Sequence, residues 1–363
     1  MSRSTSPYDG LSDRAFWKSA VALRHCCDLR DIYRPKFQLR PEDKVATAGS
    51  CFAQHIARHL RSCGFSVLDV EPPPPRMPVE KAAAHGYGLF SARYGNIYVV
   101  RHLLQLFEEA HRGVPNEDCV WSKAERFVDA FRPTVEPNGL GSPEDVRLHR
   151  EYHLRAVRQM FRQVHVFVFT LGLTEAWMSA TTDRVFPVCP GTVAGTFDPT
   201  RYRFANFTFD EIYRDFVSFY RKLKAINPSV RIILTISPVP LTATASDEHV
   251  LVATTYSKAV LRAVAGQLCR DLADVDYFPS FEIITNPAAR GIFYEPNLRT
   301  VTDFGVQTVM RAFMSAHGIV MRGGKASGSR RERMGGSSDR SPGAISAESP
   351  VICEDELLEA FAK

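Results

Sequence analysis

The sequence predicts an α/β protein built as a doubly wound, mostly parallel sheet with helices on both faces. Three observations predict it. Short runs of β-formers alternate with stretches whose apolar residues recur at helical spacing, and each run stops at Gly, Ser or Pro. The residues able to do chemistry gather at those stops, where an open α/β sheet has its ligand crevice.

Residues 44–49 (Lys-Val-Ala-Thr-Ala-Gly) read as a short buried strand. Phe52, Ile56 and Leu60, with Ala53 and Ala57, then make one apolar helix face, ended by Gly64. Residues 65–70 read as a second strand closed by Pro72 to Pro75, which completes a β-α-β unit with a right-handed crossover. A loop of small residues, 82–96, leads to a helix over 97–110 that buries Leu103, Leu104 and Phe107, and 155–163 reads as helical again. Residues 164–171 (Val-His-Val-Phe-Val-Phe-Thr-Leu) are nearly all β-formers, as expected of a central strand covered on both faces. The segment 187–207 is polar and punctuated by proline, so it reads as a loop. Within it, the spaced glycines of 190–195 lie far from any strand-to-helix turn and suit a lid or substrate loop better than a nucleotide fingerprint. A helix over 209–225 precedes a buried strand at 231–236, stopped by Ser237-Pro238-Val239-Pro240. A final helix, 253–271, precedes a strand at 275–278.

The organisation that follows is one domain, residues 41–318, with 1–40 as an N-terminal extension packed on it. From 319 to 350 the composition shifts to Gly, Ser, Arg and Pro, which is expected to form a disordered linker. Residues 351–363 are a short acidic end with Leu357, Leu358 and Phe361 as an apolar side. The formal charge is +5, and the stretch from Arg322 to Arg340, with six basic residues against two acidic ones, contributes +4 of it. A near-neutral body lacks the basic footprint of a nucleic-acid partner. No apolar run approaches the roughly 20 residues needed to span a bilayer, so a cytoplasmic protein is expected. The eight cysteines include no C-x-x-C pair, a pattern that reads as free thiols.

The segment Ala48-Gly49-Ser50-Cys51-Phe52-Ala53 places two nucleophile-capable side chains between a strand and a helix N-terminus. Unsatisfied N–H groups and the helix dipole favour an anion there, whether a thiolate or an oxyanion. The structural reading of the same turn is a capping Ser50 and a small buried Cys51. Cys51, His55 and His59 also fall at helical spacing. However, Ile56 stands where H-E-x-x-H needs its glutamate, and the face is apolar, so no metal site is expected.

Gly49-Ser50-Cys51-Phe52-Ala53 resembles the signature of the GSCFA-domain family, which is itself similar to the SGNH hydrolases and acyltransferases. The segments 91–98 (Ser-Ala-Arg-Tyr-Gly-Asn-Ile-Tyr), 169–177 (Phe-Thr-Leu-Gly-Leu-Thr-Glu-Ala-Trp), 237–244 and 277–284 resemble further blocks of that family, in its order. The resemblance spans about residues 12–318. It implies a flat three-layer α/β/α sandwich, SGNH-hydrolase-like and flavodoxin-like, that performs acyl-ester chemistry. Cys51 would occupy the nucleophile's place if the glycines align; if the hydroxyl is what matters, Ser50 is the nucleophile. Cys51 is the slightly better choice, as the stronger nucleophile one residue deeper into the helix start. Gly95, with Asn96 beside it, would correspond to the oxyanion block, and Gly172-Leu173-Thr174 to the Gly-x-Asn block, followed by Glu175.

The last block departs from the enzymes, which carry Asp-x-x-His. This chain reads Tyr294-Glu295-Pro296-Asn297-Leu298-Arg299-Thr300-Val301-Thr302, with no histidine. An arginine cannot act as base at neutral pH, so Arg299 would bind a carboxylate or phosphate, or pair with an acid. Substitute bases are His249, Glu175 and, last, His55. Two functions follow as expectations. One is an esterase or O-acyltransferase on a carbohydrate or polysaccharide precursor, with no bound cofactor and with acyl-CoA as one conceivable donor. The other is a non-catalytic module that recognises a glycan or anionic ligand. In both the partner is a small-molecule or glycan substrate, and the oligomeric state is left open.

Overall fold

The computed structural model describes residues 6–29, 31–319, 358, 360 and 361. In chain order the elements are β1 (Val45–Gly49), α1 (Phe52–Ser62), α2 (Val79–Ala84), α3 (Val100–Arg112), β2 (Val120–Lys123), β3 (Arg126–Asp129), α4 (Pro143–Gln163), β4 (Val166–Leu171), β5 (Glu175–Ser179), β6 (Val185–Phe186), β7 (Tyr202–Asn206), α5 (Phe209–Ile226), β8 (Arg231–Ile236), α6 (Val250–Asp271), β9 (Val275–Phe278), α7 (Ser280–Thr285) and α8 (Asp303–Ala316). The central sheet is parallel, in the order β1-β4-β8-β9.

The period-2 alternation of the strands sends side chains into two cores. Ala46, Ala48, Phe167, Phe169, Leu171, Ile232 and Leu234 join one core. Val45, Val166, Val168, Ile233 and Phe278 join the other. The first is closed by α3, α4, α5 and α6, through Phe107, Phe161, Phe219 and Leu261 among others. The second is closed by α1, α7 and α8, through Ile56, Ile283 and Phe313. The result is an α/β/α sandwich of three layers.

The structure departs from the sequence reading in four places. The expected second strand over 65–70 is a single parallel bridge, Val45 to Val67, because the chain turns away after Leu68. The Ser91 segment takes over the rest of the β1 edge: the Ser91 Oγ accepts from Thr47 N–H at 3.0 Å, and Ser91 N–H donates to Thr47 O at 3.4 Å. The helix expected over 155–163 begins at Pro143, with Ser142 accepting from Asp145 N–H at 3.1 Å as its cap and proline in its first turn. The proline-punctuated segment 187–207 holds β7, which with β6 just before the segment pairs with β5 as a small antiparallel sheet, β6-β5-β7. With the β2–β3 hairpin it encloses a third core of Trp121, Phe131, Phe186 and Tyr202. Finally, 253–271 is not the last helix: α8 follows, capped by Thr302, whose Oγ1 accepts from Gly305 N–H at 3.1 Å.

The described part of the N-terminal segment lies against β9. Tyr33 donates to Asp276 Oδ2 at 2.9 Å, Lys36 N–H donates to the same oxygen at 2.8 Å, and Tyr33 and Leu39 enter the second core. The expected linker, 319–350, lies outside the described residues after Ile319, and of the acidic end only Leu358, Ala360 and Phe361 are described. Among the described residues no helix is long and apolar enough to cross a membrane.

Buried histidines contribute to the acid sensitivity of this fold. Burial pushes His102 down to about 3 and His317 to about 4, with the charges of Arg150 and Arg231 acting in the same direction. The unfolded chain protonates these rings near 6.5, so stability is complete above that value and is lost as the pH falls toward 4 and then 3. Each ring should cost about 1.4 kcal/mol per pH unit across its window. Urea unfolding at pH 7, 6 and 5 should show a falling midpoint, with a shallower fall for His102→Gln. A flat pH profile would contradict this account.

Candidate functional site

The first turn is made possible by one glycine. Gly49 sits at φ +124°, and a Cβ placed on it would lie 2.3 Å from the Thr170 carbonyl oxygen, so only glycine brings the ends of β1 and β4 this close. The approach lets Ser50 N–H donate to Thr170 O at 3.1 Å. Gly172 makes the second close contact, since a Cβ there would stand 3.2 Å from Ser50 Cβ and 3.1 Å from the Tyr98 ring.

Three of the six sequence segments meet at this turn and three more join through neighbours. Ile97 N–H donates to Gly49 O at 2.9 Å, and the N–H groups of Gly172 and Leu173 both donate to Tyr98 O at 3.1 Å. Ser237 N–H donates to Leu171 O at 2.8 Å. Ser280 Oγ donates to Ile236 O at 2.9 Å, and Tyr294 donates to Pro238 O at 2.9 Å. The blocks noted in the sequence are therefore knitted together at the C-terminal ends of the strands.

Ser50 and Cys51 are both buried at the start of α1, with Cys51 as its N-terminal flanking residue. Ser50 Oγ has no hydrogen-bond partner, and neither do the nearby buried hydroxyls of Thr47, Thr170 and Thr174. Gly95 and Asn96 line a cavity of about 220 Å³ together with Gln54 of α1. Thr174 is fixed by its backbone, whose N–H donates to Ser257 Oγ at 3.0 Å. Gly172 O accepts from the buried Lys258 Nζ at 2.8 Å.

Glu175 opens β5 and lines a second cavity, of about 440 Å³. Its carboxylate accepts from Thr244 Oγ1 at 2.8 Å. Burial pushes its pKa up and Glu248 adds to the rise, while the Thr244 hydrogen bond opposes it. His249 is exposed and caps α6, its Nδ1 accepting from Leu251 N–H at 3.2 Å. Its capping nitrogen is thus occupied at its own helix start. His55 stacks obliquely on Phe52, and burial pushes it down to about 3, with Arg58 and His59 adding to the effect. His59 directs Nδ1 at the His55 carbonyl oxygen, 2.9 Å away. Arg299 is buried in the turn after Asn297, whose Oδ1 accepts from Arg299 N–H at 3.0 Å. A cavity of about 820 Å³ lies beside that turn, lined by Lys258, Tyr294 and Leu298. His25, Cys26 and Cys27 bring three potential ligand atoms within 4.8 Å of one another, outside these segments.

Sequence reasoning missed the charged group behind the Gly95 loop. Glu71 accepts from Arg93 N–H at 2.6 Å and pairs with His153 Nδ1 at 2.7 Å, while Arg132 donates to Arg93 O at 3.0 Å. Both backbone groups of Arg93, two residues before Gly95, are thereby held. Arg132 and Arg150 share Asp129, at 2.7 and 3.1 Å, and Arg150 also pairs with Glu109 at 2.5 Å. Burial alone would raise Glu71, but His153 and Arg132 overcome it and hold the carboxyl at about 2. A signal was present in the sequence. Arg150 and His153 lie on the helical stripe of Leu154, Val157 and Phe161, so two polar residues occupy core positions.

A parallel α/β/α protein with a hydroxyl and a thiol at its first strand-to-helix turn is the class these features define. Residues 44–313 match the GSCFA family, and the chain belongs to that family. No curated protein matches it. Among solved structures, a crystal structure matches at 17% identity with a TM-score of 0.25, covering 46% of this chain and 71% of that chain.

Breaking the Glu71 cluster should be severe. Glu71→Leu leaves His153 and the Arg93 N–H without their acceptor and removes the negative charge 3.8 Å from Arg132, and urea denaturation should show a loss of about 3–5 kcal/mol. Glu71→Gln keeps one acceptor oxygen and should lose less. Equal losses would mean that the charge is immaterial.

Proposed function

We propose that the chain performs SGNH-type acyl-ester chemistry, as an esterase or O-acyltransferase on a carbohydrate or polysaccharide precursor. The observation that carries the reading is the turn itself: a buried Ser50 hydroxyl without a hydrogen-bond partner, beside a buried Cys51, at a helix start where three family blocks converge. Because no base holds the Ser50 hydroxyl, Cys51 is the better nucleophile. An ordinary thiol is a few per cent thiolate at pH 7 without a base and is intrinsically nucleophilic, whereas a serine hydroxyl needs a base to take its proton.

The Cys51 thiolate attacks the acyl carbon, and the carbonyl electron pair moves to oxygen. The positive end of the α1 dipole favours that oxyanion, and Gly95 and Asn96 line a cavity that Gln54, in the first turn of α1, also lines. The ester oxygen leaves and takes up a proton, giving a thioester on Cys51. A hydroxyl of the acceptor, or water, then attacks the thioester and restores the thiol. Glu175, with its raised pKa and a place on a cavity wall three residues after the Gly172 that packs on Ser50, is the carboxyl we assign to proton transfer. Arg299 serves to bind an anionic group of the ligand, since it cannot titrate.

A second reading is a ligand-binding module that keeps the crevice without turnover. The absence of a histidine from 294–302 and the capping role of His249 favour it. Incubation with p-nitrophenyl acetate or acetyl-CoA, followed by peptide-level mass spectrometry, separates the two. An acyl adduct on the Ser50–Cys51 peptide is expected, lost in Cys51→Ala and kept in Ser50→Ala. The reverse pattern moves the nucleophile to Ser50, and no adduct in any form leaves the binding module. Arg299→Lys should weaken ligand binding and leave the pH profile unchanged in shape. A lower thermal midpoint with unaltered binding would make Arg299 structural.

A further inference from the structure

The cavity beside Glu175 has an unusual wall. Its lining comes from the small antiparallel sheet, with Trp177 and Phe204, and from the loop after β8, with Leu241 and Thr244. It also comes from two residues at the far end of the chain, Leu358 and Phe361. These two lie beyond residues 320–357 and are two of the apolar residues of an end that also carries Glu354, Asp355, Glu356 and Glu359. Spaced three apart, they fall on one side of a single helical turn.

We propose that this cavity is the docking site of the chain's own C-terminal end, with Leu358 and Phe361 as the side chains that occupy its rim. The occupant follows from the chemistry of both partners. The wall is mostly aromatic and aliphatic, and the end supplies one aliphatic and one aromatic side chain. Phe361 remains 65% exposed, so the contact is shallow and reversible and not part of the core. A connection of roughly 40 residues keeps its end at an effective concentration on the order of millimolar, so a contact of only millimolar strength would be occupied for a large share of the time. The docked end narrows access to Glu175 from this side, so it competes with any ligand that enters there. The contact is therefore a regulatory device as well as an interaction surface, and it holds whether the site catalyses or only binds.

Cys189 lines the same cavity and is partly buried, which gives a readout independent of activity. In the full chain the alkylation rate of Cys189 is measured against Cys63, which lies on α1's far end, outside the cavity lining. The pair Leu358→Asp and Phe361→Asp should raise the Cys189 rate severalfold and leave Cys63 unchanged. A chain ending at Pro350 should show the same rise, and a synthetic peptide of residues 351–363 at millimolar concentration should reverse it. An unchanged Cys189 rate in the shortened chain overturns the proposal. So does a rate in the full chain that slows with protein concentration, since the end would then dock on a second copy.

Discussion

The close approach of β1 to β4 at Gly49 is the constraint on which the rest of the site depends. Any side chain there would drive a carbon into the Thr170 backbone, and the two strand ends would have to part. Ser50 would then lose its bond to Thr170 O, and the contact of Ser50 with Gly172 would open. The Tyr98 carbonyl, which takes both the Gly172 and Leu173 N–H groups, would lose its place as well. One backbone conformation thus decides whether three loops from distant parts of the chain share a corner.

Holding that corner in place needs support from outside the sheet. The loop carrying Gly95 and Asn96 has no regular structure of its own between Ser91 and Val99. It is fixed from beneath by Tyr94, whose hydroxyl donates to Thr47 O, and from behind by Glu71 and Arg132 on the Arg93 backbone. A buried ion cluster is a poor source of net stability, but losing one member is costly. That asymmetry suits a positioning role, because the loop has few alternatives once its polar groups are committed to charged partners.

Much of this was legible in the sequence, for identifiable reasons. Strands with uniform burial, such as 166–171 and 231–236, showed as continuous runs of β-formers, and α1 showed as a clean stripe. The turn at Gly49 could be read because its chemistry-bearing residues stand at a strand end, and the blocks that meet it could be read through their resemblance to the GSCFA family. What was hidden depends on pairing between distant segments. The side sheet β6-β5-β7 has one two-residue strand, too short for a periodic signal. The Glu71–His153 pair joins residues 82 apart in the chain, and no local pattern announces it. His249 looked like a base because it follows a crevice loop, yet its ring nitrogen serves the helix it precedes. The α8 stripe of Val306, Val309, Met310 and Phe313 has helical spacing and was visible in principle.

The third core changes how this protein can vary. Trp177 rests on Trp121, Phe131, Phe186 and Tyr202, while Ala176, Met178 and Val185 of the same strands face the first core, so the side sheet has one face on each. The face that carries Trp177 can be recut without touching the face that packs on the first core. Substitutions at Trp177, Phe197 or Phe204 would alter which shapes the cavity accepts while the chemistry stays in register. Divergence of ligand preference within such a scaffold would then fall on the insertion between β4 and α5, and the parallel strands would be left to carry what must not move.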